Sequence, residues 1–193
     1  MCAPIVTACC LLLPGCAAPQ VVGARREALV ADARATIDRS QRKDPTIAAW
    51  FDSAFGYAVF PRVGKGAIGL GGAHGVGVVF EQGKPVGTAA LTQATLGLQL
   101  GGQAYSEVIF FQDAEALERF KRGQLALAAQ ASIAALTAGG AAEADYDQGV
   151  AVFALPQGGL MYELSIGGQQ FRFRPFEPEP ARSDASNARG RPG

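Results

Sequence analysis

Beyond residue 16 the sequence contains no cysteine; all four, Cys2, Cys9, Cys10 and Cys16, stand at its start. A disulfide framework or a structural zinc site would distribute cysteines through the fold, so neither organises the body of the chain. Histidine is almost as scarce. His74 is the single one, so any Ser–His or Cys–His pairing must use it, and its place among glycines reads as an exposed turn. No serine stands in G-x-S-x-G, and Ser40-Gln41-Arg42-Lys43 fits S-x-x-K without the S-D-N and K-T-G partners of that chemistry. Acids such as Glu107 and Glu163 fall in predicted strands, which leaves a carboxylate pair open in principle, though nothing favours one. No His/Cys cluster offers a metal site, and no catalytic residue or cofactor is expected. A charge excess is also missing: 17 basic and 17 acidic residues give a net charge of zero, which argues against nucleic-acid binding.

What is present is a sizeable core. The chain has 193 residues, 49% hydrophobic and 18% charged, enough for one domain. The clustered cysteines belong to "MCAPIVTACCLLLPGCAAPQ". Ile5 to Leu13 is apolar, too short to span a bilayer but suited to a signal h-region. It ends in Leu13-Pro14-Gly15-Cys16, which resembles a bacterial lipobox, with Leu13 and Gly15 matching and Pro14 less usual. Residues 1–15 then read as a lipoprotein-type signal peptide, Cys16 as the acylated residue, and 16–24 as a lipidated tether. The leading segment departs from the pattern in carrying no Lys or Arg before its apolar run. An ordinary secretory signal, or an apolar arm packed on the domain, is the plainer reading. Ala17 after the cysteine points to an outer-membrane anchor facing the periplasm; a periplasmic or secreted protein is the alternative. A multi-acyl anchor would hold stably.

The next feature is "VGKGAIGLGGAHGVGVVF", residues 63–80. Its opening Gly64-Lys65-Gly66-Ala67-Ile68-Gly69 matches G-x-G-x-x-G, but a dinucleotide site needs a helix there and an acid about 20 residues on. The glycines oppose a helix, and Glu81 comes too early. The glycines are better explained as strand positions without side chains, where a neighbouring backbone, helix or apolar ligand approaches closely. The slip in alternation between Gly66 and Gly69 suggests a bulge.

Around this stretch the pattern gives an α+β fold: two N-terminal helices followed by a mainly antiparallel, Gly-rich β-sheet with one inserted helix. Arg25 to Arg42 has an amphipathic period, with Leu29, Ala33 and Ile37 on one face. Asp44 caps a second helix, with Pro45 at its first position and Ile47, Trp50, Phe51 and Ala54 in one stripe. Strands are expected at Tyr57–Phe60, closed by Pro61, then at Ile68–Gly72, Val76–Glu81, Val86–Thr95 and Tyr105–Phe111. Asp113 to Gly123 is a helix whose acids come early and bases late. The alanine-rich stretch after it is read as strand, followed by strands at Val150–Leu155, Leu160–Ile166 and Gln169–Arg174. Residues 25–174 form the domain. Residues 175–193, rich in Pro, Ser and Arg, are expected to be a disordered tail.

The order of several blocks carries a specific resemblance. These are Gly56-Tyr57-Ala58-Val59-Phe60-Pro61, Gly64-Lys65-Gly66, Gly71-Gly72, Gly75-Val76-Gly77-Val78, Gln99-Leu100-Gly101-Gly102-Gln103 and Phe110-Phe111. Gly149-Val150-Ala151-Val152-Phe153 and Gly158-Gly159-Leu160-Met161 follow. Over about Arg25 to Arg174 the chain closely resembles the SYLF-domain family. The resemblance implies lipid binding: eukaryotic relatives bind phosphoinositides, some of those fused to SH3 domains bundle actin, and bacterial relatives are commonly small secreted lipoproteins. For an envelope protein it implies a membrane phospholipid with an anionic headgroup as partner. The other class of reading is a structural envelope protein whose domain binds a protein partner. Arg62, Lys65 and Lys84, beside predicted glycine turns, are the lipid-headgroup candidates; three solvated turn residues are the alternative.

Overall fold

The computed structural model describes residues 19–68, 70–96, 101–125, 133–135, 139–157 and 168–177. Helix α1 spans Pro19–Lys43 and begins upstream of the expected start. One face goes inward through Ala33, Thr36 and Ser40, all buried. The two hydroxyls tolerate burial because each donates to its own helix: Thr36 Oγ1 to the Asp32 carbonyl at 2.8 Å and Ser40 Oγ to the Thr36 carbonyl at 2.9 Å. Ser40 is thus a packed helix residue, not an exposed nucleophile.

Asp44 caps as expected, but what it starts is a 3-10 turn, Pro45–Ile47, which hands over to the short helix α2, Ala48–Ser53. Its carboxylate is buried. It accepts from Thr46 N at 3.0 Å, Thr46 Oγ1 at 2.6 Å and, from far along the chain, Ala141 N at 2.8 Å. Burial alone would raise its pKa; the hydrogen bonds from Thr46, Ala141 and Gly139 reverse that and hold it below the usual carboxylate range.

Seven strands follow among the described residues: β1 Gly56–Ile68, β2 Leu70–Glu81, β3 Lys84–Leu96, β4 Gly101–Phe111, β5 Ile133–Ala135, β6 Val150–Pro156 and β7 Gln169–Pro175. Helix α3, Ala114–Lys121, is inserted after β4 and capped by Asp113. The order is β5-β6-β4-β1-β2-β3-β7. Only the β5–β6 pair is parallel; the others are antiparallel. The fold is therefore α+β, as the sequence pattern indicated.

Four expected details change. Pro61 does not close a strand: β1 runs through it, paired with β2 on one side and β4 on the other. Gly-Ala-His-Gly is not a turn but the middle of β2. The bulge lies between Val59 and Val63, where a proline without an N–H costs least, and not between Gly66 and Gly69. Pro175 ends β7 and the Phe176 N–H reaches the Val86 carbonyl at 2.9 Å, so these two residues, assigned to the tail by composition, belong to the packed domain. The expected strand Leu160–Ile166 lies outside the described residues.

The sheet rolls. Phe60 on β1 and Phe171 on β7 are three strands apart, roughly 14 Å along a flat sheet, yet their ring centroids are 5.9 Å apart. Inside the roll lie Ala58, Phe60, Val79, Leu91, Ile109, Phe111 and Phe171, with Leu117 and Phe120 of α3 among them. The outer face under α1 and α2 carries Tyr57, Val59, Val78, Phe80, Phe110 and Phe153. Gly75 and Gly77 face inward. A Cβ on Gly77 would stand 2.7 Å from the Phe60 ring and one on Gly75 2.9 Å from Val63. The close neighbour of this glycine face is thus the chain's own strand β1, brought in by the bulge.

Candidate functional site

Two polar places stand out, one inside the roll and one on its outer face. Inside, Tyr105 and Glu107 of β4 meet Gln169 of β7, and all three are buried. Gln169 Nε2 donates to Glu107 Oε2 at 3.0 Å, although four strand spacings separate their strands in the sheet. Burial disfavours the ionised Glu107, and the hydrogen bonds from Gln169 and Tyr105 offset this only in part, so its pKa is pushed up to about 7. The Tyr105 hydroxyl is raised by burial and by the Glu107 charge beside it. Among the described residues no second carboxylate of the kind that paired glycosidase chemistry uses stands beside Glu107. Its partner in that sequence reading, Glu163, lies outside the described residues.

On the outer face the bulge sets the geometry. The Pro61 carbonyl accepts from Ser106 Oγ at 2.8 Å and from Gln157 Nε2 at 2.6 Å, which pins the irregular turn of backbone. The next residue, Arg62, is exposed. Because Val63 pairs with Gly75, Arg62 lies beside Val76. Val76 in turn pairs with Ala90 and Ala90 with Arg172. One row across four strands therefore reads Arg62, Val76, Ala90, Arg172. The adjoining rows place Gly64, His74, Thr92 and Gln170 together on one side, and Thr88 beside Arg174 on the other. Arg172 and Arg174 are exposed, while Phe171 and Phe173, which alternate with them, pack inward.

The headgroup candidates do not gather at one point. Lys84 opens β3 next to the Gln82-Gly83 turn, in register with Glu81 and, through it, with Gly56. Arg62 is six residues further along β1 and Lys65 nine, on the order of 20 and 30 Å away. The Lys65 backbone is paired with Ala73 and Gln103, so its setting is a strand and not a turn. Cys16 lies outside the described residues. His74 is exposed as expected, but from mid-strand. The residues that sequence reasoning missed are Arg172 and Arg174. Their signal was available: Phe171-Arg172-Phe173-Arg174 alternates with period two, which assigns both arginines to one face.

Among the described residues no group of three or more His, Cys, Asp or Glu side chains could hold a metal ion, and no helix is long and apolar enough to cross a membrane.

Residues 92–176 match the family model described as Ysc84, Las17-binding protein actin regulator. This covers the end of β3 through Phe176, including Arg172 and Arg174, and leaves the N-terminal helices, β1 and β2 outside the match. Beta cell expansion factor A of Aeromonas veronii is 25% identical over 154 residues, 79% of this chain and 59% of that protein. The chain thus spans about three-fifths of that relative's length. The family match contains the motif blocks Gln99 to Gln103, Phe110-Phe111, Gly149 to Phe153 and Gly158 to Met161, and over residues 92–176 the chain is similar to the SYLF-type family.

Proposed function

We propose that this chain is a non-catalytic binder of anionic phospholipid at a bacterial envelope membrane, held there by acylated Cys16 at the periplasmic face of the outer membrane. The observation that carries the reading is the charge distribution of the rolled sheet. Away from the β2–β3 turn, strands β1, β2, β3 and β7 contain Arg62, Lys65, Arg172 and Arg174 and no acid; at the turn Lys84 stands in register with the one acid, Glu81. That acid is taken up by Lys121 of α3 at 2.8 Å. A chain of zero net charge has therefore set its acids elsewhere and left this part of the fold basic, which suits a negatively charged surface. Similarity to a family whose members bind lipid supports the same reading.

Co-sedimentation with vesicles tests it. The full chain bearing Cys16→Ser, which removes the acylation site, is expected to pellet with phosphatidylglycerol-containing vesicles, to pellet less as salt rises, and to ignore pure phosphatidylcholine. Absence of pelleting with any vesicle would overturn the proposal. The family description names a protein target, Las17, so a protein partner in the envelope would then be the reading to pursue.

A further inference from the structure

The structure assigns the docking surface to the open outer face of β2, β3 and β7, with Arg62 at its rim, and the occupant to an anionic bilayer. This rests on the lipid-binding reading above and deepens it. Three observations converge.

First, α1 and α2 cover the half of this face that carries Tyr57, Val59, Val78 and Phe80, and in the half around Val76 the described positions Arg62, Gly64, Gly72, His74, Val76 and Thr92 are exposed. Val76 is 43% exposed, the one large hydrophobic side chain so exposed among the described residues. Second, its surroundings are basic. Arg62 and Arg172 lie in its own row, roughly one and two strand spacings away at about 5 Å each, and Arg174 lies in the next. None of the described outward positions on β1, β2, β3 or β7 carries a carboxylate. Third, the ground between them is low: Gly64, Gly72, Ala90 and Thr92 project little or nothing, and His74 and Gln170 are the longer side chains among them.

This combination selects among occupants. A protein interface of useful affinity is built on buried anchors such as Trp, Tyr or several aliphatic side chains, and one valine and one alanine supply none. Single-stranded nucleic acid would call for a run of aromatic platforms, and the described outward positions around Val76 offer one ring, His74. A bilayer asks for less: a level surface, cations at the depth of the phosphates, and a modest apolar point that can reach the acyl boundary. Three arginines around one valine on a low sheet face meet that description. Each cation near an anionic membrane adds roughly fivefold to partitioning.

The test uses the full Cys16→Ser chain with vesicles of phosphatidylcholine and phosphatidylglycerol at about two to one. Replacing Arg172 and Arg174 together by Gln is expected to lower the partition coefficient roughly 30-fold. Val76→Asp should weaken binding severalfold in vesicles of the same charge. Lys84→Gln, at the far end of the sheet and beyond a Debye length, should leave it within about twofold. The replaced arginines are solvent-exposed, and an unchanged thermal midpoint in each variant confirms that the fold is kept. If the parent chain binds and the Arg172/Arg174 variant binds equally well, or if Lys84→Gln weakens binding as much, this surface is wrong while lipid binding stands. If the parent chain does not bind, both proposals fall.

Discussion

Strands β1 and β2 each pass through two different environments. From Gly56 to Phe60 and from Val78 to Glu81 they are aromatic and β-branched, packed on both faces: Tyr57 stacks on Phe80 with centroids 5.0 Å apart, and Phe110 beside them meets Trp50 at 5.7 Å and Phe51 at 4.8 Å. Beyond the bulge the same strands turn glycine-rich, and their described outward positions Arg62, Gly64, Gly72, His74 and Val76 are exposed. One half is built for stability and the other for access. The bulge is the joint: it re-phases β1, so that Val63 continues the inner face after Phe60 although two residues, not one, intervene.

Substitutions can break or sharpen this contrast. The largest effect belongs to the covered half. Phe110→Ala would remove a fully buried ring from contacts with Trp50, Phe51, Tyr57 and Phe153 and should cost about 3–5 kcal/mol, read from urea midpoints.

Next comes Glu107, on the inner side. Its folded pKa of about 7 lies above the ordinary value of 4.5, so the native state holds the proton more tightly than the unfolded chain. The stability that this proton contributes is complete below about 4.5, falls as pH rises through the interval up to about 7, and stays lost above it. The difference is on the order of 3 kcal/mol. Glu107→Gln keeps an acceptor for Gln169 and carries no charge, so the variant should match the parent near pH 5 and exceed it by up to that amount near pH 8. Urea melts at the two pH values decide it, and parallel curves for the two proteins would refute it.

At the joint, Gly77→Ala would press a methyl group against the Phe60 ring and the Val59 carbonyl; about 2 kcal/mol of destabilisation is expected, again from the midpoint. The smallest effect should fall in the open half. Val76, 43% exposed, has little packing to lose, and Val76→Ser should change stability by less than about 0.5 kcal/mol. A larger loss would mean that Val76 is a core residue, and the contrast would fail.

Legibility in the sequence followed the same division. Helix caps were readable because Asp44-Pro45 and Asp113 act through their immediate neighbours; β3 and β7 alternate with one side wet or small, and β4 and β6, buried on both faces, were readable as β-branched and aromatic runs between turn signals. The strands with special geometry were not. Pro61 and the glycines of Gly71 to Gly77 carry turn chemistry, and local preference broke β1 and β2 at those points. Pairing with partners on both sides overrides that preference, and register across three strands is not a local property. Site residues divided likewise. Arg62 stood out beside a glycine motif, whereas Arg172 became meaningful only when Ala90 and Val76 were aligned with it across two other strands. Glu107 looked like any strand acid, because its burial depends on the roll that brings β7 over β4.

That roll has a consequence for how the protein is made. Gln169 meets Glu107 from 62 positions further along the chain, and β7 closes on β3, whose residues leave the ribosome long before it. Until then the nascent sheet has a bare edge, and Phe60, Phe120 and the Glu107 carboxyl remain in contact with water. Assembly is therefore gated by the arrival of residues 169–175. It has the slow, non-local character of late strand addition, and the unsealed intermediate, with its exposed β3 edge, is the species most open to aggregation.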